Sequence, residues 1–188
     1  MAYIDNTVTY SNTRLVEDTT GLEVMLADDA RIMEKSTEYI CQSKGDILEL
    51  GFGMGISADY IQAQGVNSHT IVEIHPQVIA RLKTWASGKS NVTIVEGDWE
   101  TVSLGTYDGI FIDPYDPVDG TDFSNIKQYT IDKGKSGTKM TYWNPGDTTN
   151  LYGFDNISFE EISLDGLYVD TQPHLWNMEV YYMPKVVI

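Results

Sequence analysis

The stretch that decides the fold is Asp46-Ile47-Leu48-Glu49-Leu50-Gly51-Phe52-Gly53-Met54-Gly55. A short apolar run that leaves through glycines has the pattern of a buried parallel strand entering a helix, here over roughly Ile56 to Gln64. Glycines at such a junction let the backbone turn tightly and approach a ligand with no Cβ in the way. The unpaired N–H groups at the helix start suit a carboxylate or a phosphate. A doubly wound sheet binds its ligand at this place, outside the carboxyl end of the first strand. Taken alone, the loop fits a dinucleotide site or a plain tight turn. The dinucleotide pattern, however, requires a glycine at position 56, where Ile56 stands.

Downstream, His69 to Ile74 reads as a second strand, and a helix from Pro76 to Trp85 follows, with proline in its first turn. Asn91–Val95 and Tyr107–Asp113 read as the third and fourth strands. Strands alternating with helices imply parallel βαβ units, hence an α/β sheet with helices on both faces. Lys139–Trp143 is expected as a fifth strand, Phe159–Leu164 as a short helix, and Leu167–Thr171 with Met178–Met183 as two closing strands, seven in all. Upstream, Leu22, Val24, Met25, Ile32, Met33, Tyr39 and Ile40 recur at helical spacing, which predicts one or two helices between Gly21 and Gln42. Residues 1–20 show no clean periodicity and read as an arm or lid; residues 21–188 read as one domain, with no repeat and no linker.

The chain has 188 residues, 41% of them hydrophobic, enough to build a core without staples. It carries no apolar stretch near the ~20 residues that span a bilayer and no secretory leader, so a cytoplasmic protein is expected. The single cysteine, Cys41, reads as core filler. A net charge of −16 argues against nucleic acid, whose phosphates need a basic face, and favours cationic ligands. The three histidines lack metal-ligand spacing, and no metal is expected.

Glu73 ends the second strand about twenty residues after the loop, where a carboxylate accepts from both ribose hydroxyls; Ile74 and His75 adjoin it. The third strand leads to Gly97-Asp98-Trp99, an acid for an adenine amino group and a ring to lie against the base. The plainer alternatives are a helix cap for Asp98 and a core aromatic for Trp99. Three successive strand ends would then hold the amino-acid end, the ribose and the adenine of one nucleoside ligand, with Glu49, Gly51, Phe52, Gly53 and Met54 at the first.

These motifs, Gly51-Phe52-Gly53-Met54, His69-Thr70-Ile71-Val72-Glu73 with His75-Pro76, Gly97-Asp98-Trp99-Glu100 and Tyr107-Asp108-Gly109-Ile110, resemble guanidinoacetate N-methyltransferase and the related arginine delta-methyltransferases. The resemblance is firm from Gly45 to Asp113 and extends from Val24 to Tyr181-Tyr182. It implies a Rossmann-like, seven-stranded, mostly parallel sheet closed by a C-terminal antiparallel hairpin. It also implies N-methylation of a guanidino or other cationic nitrogen by S-adenosyl-L-methionine, leaving S-adenosyl-L-homocysteine. By resemblance, Asp113 would contact the cofactor, and with Tyr115 it would hold the guanidinium, the carboxylate taking the proton lost on methylation. Asp29 would replace an upstream glutamate and Asp28 a tryptophan in a segment aligned on Val24-Met25, while Thr141 to Asn144 would help bind the substrate's distal end. The acceptor would be a small molecule or an arginine.

Asp113-Pro114-Tyr115-Asp116-Pro117-Val118 is also similar to polyamine aminopropyltransferases. Against that reading, the chain is short for that family's N-terminal strand domain, and the loop lacks an acid after its third glycine. A non-catalytic nucleoside-binding module is the alternative from another class; acids retained at four strand ends, Glu49, Glu73, Asp98 and Asp113, argue against it.

Overall fold

The computed structural model describes residues 3–115, 123–144, 149–166 and 179–188. The chain opens with three antiparallel strands, β1 (Val8–Tyr10), β2 (Arg14–Glu17) and β3 (Glu23–Leu26). Thus the segment read as helical from Gly21 onward begins as a strand. Its apolar residues find a partner upstream, Leu15 opposite Met25, both buried. Local periodicity does not report a cross-strand partner. Only the second half is helical: a 3₁₀ turn (Ala27–Asp29) leads into α1 (Ala30–Ile40), which buries Ile32, Met33, Tyr39 and Ile40.

The main sheet follows: β4 (Asp46–Leu50), α2 (Ile56–Ala63), β5 (Ser68–Glu73), α3 (Pro76–Ala86), β6 (Val92–Glu96), β7 (Tyr107–Ile112), α4 (Ile126–Lys133), β8 (Gly134–Tyr142), β9 (Ile157–Ser163) and β10 (Val180–Val187). Its order is β6-β5-β4-β7-β8-β10-β9. The first five strands run parallel, and β10 pairs antiparallel with β8 and β9. The expected seven-stranded, mostly parallel sheet with antiparallel C-terminal strands is present. Its closing hairpin, though, is β9 with β10. The predicted helix at Phe159–Leu164 is instead the edge strand β9, because Ile157, Phe159 and Ile162 pair opposite Val186, Pro184 and Tyr181 of β10, which lies far downstream. Leu167–Thr171 lies outside the described residues.

Alternation along β4 splits the core. Ile47 joins α1, α2 and α3 on one face, while Leu48 and Leu50 join Ile126 of α4 on the other. Full burial of each such side chain stabilises by about 1.5–3 kcal/mol. Cys41 is buried in the first cluster, and burial pushes its thiol up to about 12. Strand order reverses between β4 and β7, which opens a crevice at their carboxyl ends. Among the described residues, no helix is long and apolar enough to cross a membrane, and no three His, Cys, Asp or Glu side chains cluster as metal ligands.

Candidate functional site

Backbone bonds extend the sheet past its strand ends and hold them level. Gly97 N–H donates to Glu73 O, Gly51 N–H to Val72 O, Asp113 N–H to Leu50 O, and Trp143 N–H to Ile112 O, at 2.8–3.0 Å. Asp98, Glu73, the glycine loop, Asp113 and Asn144 therefore follow one another along a single rim, in the order of strands β6, β5, β4, β7 and β8. Gly51 has φ +86°, and a Cβ there would collide with the Asp113 carbonyl, so the loop and the fourth strand end meet at the switch point. Gly53 has φ +52°, and a Cβ would lie 2.7 Å from Met25 Sδ. That sulfur accepts the Met54 N–H at 3.1 Å, so β3 presses on the loop. The Phe52 ring is buried against Trp85 of α3, 5.4 Å between centroids.

Glu73 is buried at the end of β5. Its Oε2 accepts the Phe52 N–H at 2.9 Å, and Oε1 accepts the Ile74 and His75 N–H groups at 2.8 Å. A carboxylate offers about four acceptor sites, and three of them are taken up here. Burial raises its proton affinity, and those three backbone donors oppose the rise. His75 is fully buried; Nε2 bonds the Asn6 carbonyl at 2.9 Å, while Nδ1 and Asn6 Oδ1 have no partner among the described residues. At the third strand end, Asp98 Oδ1 accepts the Glu100 N–H at 3.0 Å, closing a turn, and Trp99 packs edge-on against Tyr129 of α4.

Asp113, at the fourth strand end, lies within the field of acids from two other elements, Asp29 before α1 and Glu49 on β4. Enclosure first, then the negative charges of Asp29 and Glu49, push the Asp113 carboxyl well above the usual carboxylate range. Asp29 is buried, its Oδ2 accepting the Leu26 N–H at 3.0 Å, whereas Asp28 is exposed. Tyr181 of β10 is held by both acids' field, its hydroxyl driven up by burial and then by Asp113 and Asp29. Its oxygen accepts the Asn144 N–H at 2.9 Å. The Asn144 side chain is tied to Tyr182 O and to Asn150. Thr141, fully buried in register with Phe111, has no partner for Oγ1 among the described residues. Glu49 does not reach the rim: Oε1 accepts from Ser57 Oγ, and Oε2 meets His69 Nε2 at 2.9 Å.

The N-terminal strands roof this rim. Tyr10 Oη donates to Gly53 O at 3.0 Å, Val8 N–H donates to Gln77 Oε1 at 2.9 Å, and Arg81 lies over the Tyr10 ring. Tyr3 packs on His75, 4.7 Å between centroids, and edge-on against Tyr115, 4.9 Å. Tyr3, Asn6, Tyr10, Ser57, His69 and Tyr181 were not singled out from sequence for roles at the site. Tyr3, Asn6 and Tyr10 stand in a segment without periodicity; Ser57 carries no motif, and His69 and Tyr181 stand inside segments that carry the resemblance, with no role of their own attached.

Residues 1–173 match the family model described as guanidinoacetate N-methyltransferase. Protein arginine N-methyltransferase 2 of Emericella nidulans is 34% identical over 214 aligned residues, which cover 97% of this chain and 49% of the relative. Its namesake in Aspergillus oryzae is 29% identical, with 97% and 50% covered. The chain thus spans about half the length of the curated relatives it matches. Among solved structures, spermidine synthase from Thermotoga maritima superimposes with a TM-score of 0.67 at 11% identity, covering 96% of this chain and 72% of that one. N-methyltransferase NodS from Bradyrhizobium japonicum gives 0.64 at 13%, covering 85% and 96%. These likenesses establish the Rossmann-like fold. The family match runs through the glycine loop and all the strand-end acids of the rim, and the chain belongs to the guanidinoacetate N-methyltransferase family.

Proposed function

We propose that the chain binds S-adenosylmethionine along the rim and methylates a guanidino nitrogen, of arginine or of a small molecule. The observation that carries this reading is Asp113, whose neighbours Asp29 and Glu49 both add negative potential at the head of the switch-point crevice. Such a site favours a cation. A guanidinium offers planar donors to a carboxylate and stays charged at any working pH.

The residues fit the nucleoside ligand. Glu73 keeps an acceptor site for ribose, the loop glycines let the backbone close against Asp113, Met25 and Phe52 at the strand ends, and the buried Nδ1 of His75 leaves a polar atom to be met. Asp98 retains a carboxylate oxygen beyond its turn bond. When bound, S-adenosylmethionine would supply an electrophilic methyl group on a sulfonium, the S–C bond breaking toward a neutral thioether as a nitrogen lone pair forms the N–C bond. Asp113 orients the guanidinium and takes the proton that the nitrogen sheds as the N–C bond forms. Asp29 shares the cation's charge, Tyr115 and Tyr181 wall the crevice, and the N-terminal strands keep water out.

The test is incubation with methyl-labelled S-adenosylmethionine and a panel of guanidinoacetate, free arginine and arginine peptides, read by mass spectrometry. Label on a guanidino nitrogen, lost in Asp113→Asn, is expected. Aminopropyl transfer from the decarboxylated cofactor to a polyamine would overturn the reading.

A further inference from the structure

Beneath the glycine loop lies a polar chain that the proposed mechanism does not use. Glu49 on β4 and His69 on β5 are both fully buried and meet at 2.9 Å. Glu49 also accepts from Ser57 in the first turn of α2. On its far side, His69 Nδ1 faces the Gln62 amide nitrogen at 3.3 Å, one turn further along α2. With that nitrogen donating, Nδ1 accepts, and Nε2 carries the proton it gives to Glu49. Trp85 of α3 stacks edge-on against His69 at 6.2 Å, and its Nε1 donates to Asp59 of α2 at 2.7 Å. The same indole packs against Phe52 of the loop.

Helix α2 is therefore gripped at Ser57, Asp59 and Gln62 by partners on β4, α3 and β5, and the loop by the ring that touches His69. A buried carboxylate is costly unless its acceptor sites are met. A greasier core would hold an eight-residue helix more cheaply. Each of these bonds instead fixes the height and rotation of α2 against the strand ends, and so the direction of the N–H groups from Gly51 to Ile56.

We infer that Glu49, His69 and Ser57 are positioning residues for the nucleoside site, acting through the glycine loop and the start of α2 without touching the ligand. The inference rests on the proposed cofactor site. Its test is calorimetric titration of the full chain with S-adenosylhomocysteine, at a temperature well below each variant's melting point. His69→Ala should weaken affinity at least about tenfold, since Glu49 and Gln62 lose their common partner. His69→Gln, whose amide nitrogen reaches about as far as Nε2, should restore affinity to within about threefold. A purely structural role would lower the melting point in His69→Ala and leave the affinity of the folded protein unchanged, which would overturn the inference. Should His69→Ala fail to fold, Ser57→Ala removes only the hydroxyl: affinity several-fold weaker supports the positioning role, and wild-type affinity overturns it. Wild-type protein that binds no S-adenosylhomocysteine would overturn the proposed function and this role with it.

Discussion

Asp113 holds its proton more tightly folded than unfolded, because burial and then Asp29 and Glu49 disfavour its charge. Its contribution to stability is therefore complete below the unfolded value near ~4 and is lost as pH rises through the raised folded value. Asp113→Asn should melt at a higher temperature than the wild type at pH 8 without ligand, with the gap closing as pH falls toward ~4; calorimetry across that range checks it. The same variant should lose roughly 100-fold or more in kcat/KM, the scale of a lost proton acceptor. In the wild type, kcat/KM should climb with pH up to the Asp113 value, since only the carboxylate receives the guanidinium and its proton. Gly51 sits beside this group with φ +86° and no room before the Asp113 carbonyl. Gly51→Ala should cost about 1–3 kcal/mol of backbone strain by denaturant unfolding and should impair S-adenosylhomocysteine binding.

At the scale of elements, the lower end of the sheet is tied by Lys135 at the start of β8, which bridges Asp46 of β4 at 2.8 Å and Asp108 of β7 at 2.7 Å. Hydrogen bonds from Lys135, Asn67 and Ser68 hold the Asp46 carboxyl down at about 2. That stability is present above ~4 and vanishes as pH falls toward about 2. Lys135→Met should move acid unfolding to higher pH, as followed by circular dichroism. On the rim, Tyr10→Phe removes the bond from β1 to Gly53 and should weaken cofactor binding by a few-fold, in line with ~1 kcal/mol for one hydrogen bond. The parallel strands were legible because β4, β5 and β7 are buried on both faces and each carries a compact group of apolar residues before a turn or an acid. Strands β1, β2, β3 and β9 were not, because each is partly exposed and paired with a segment that local periodicity does not reveal, and the first three are short as well. Within the site, Glu73 and Asp113 could be read from their places after strands, whereas the burial of Glu49 with His69 depends on which face of β4 points to α2.

Across the whole molecule, 28 acidic against 12 basic residues give a charge of −16, which draws cationic acceptors over distances that salt screens. Raising ionic strength from about 0.05 to 0.5 M, where the Debye length falls to a few ångströms, should raise KM for an arginine peptide several-fold with kcat little changed. Steady-state kinetics at several salt concentrations check this. The central claim is that three strand ends form one nucleoside site and the fourth, at Asp113, receives the acceptor, and it is tested most directly by calorimetric titration of the wild type, Glu73→Ala and Asp113→Asn with S-adenosylhomocysteine. The account predicts single-site binding that Glu73→Ala weakens at least about tenfold and Asp113→Asn leaves nearly intact; no binding, or binding indifferent to Glu73, would contradict it.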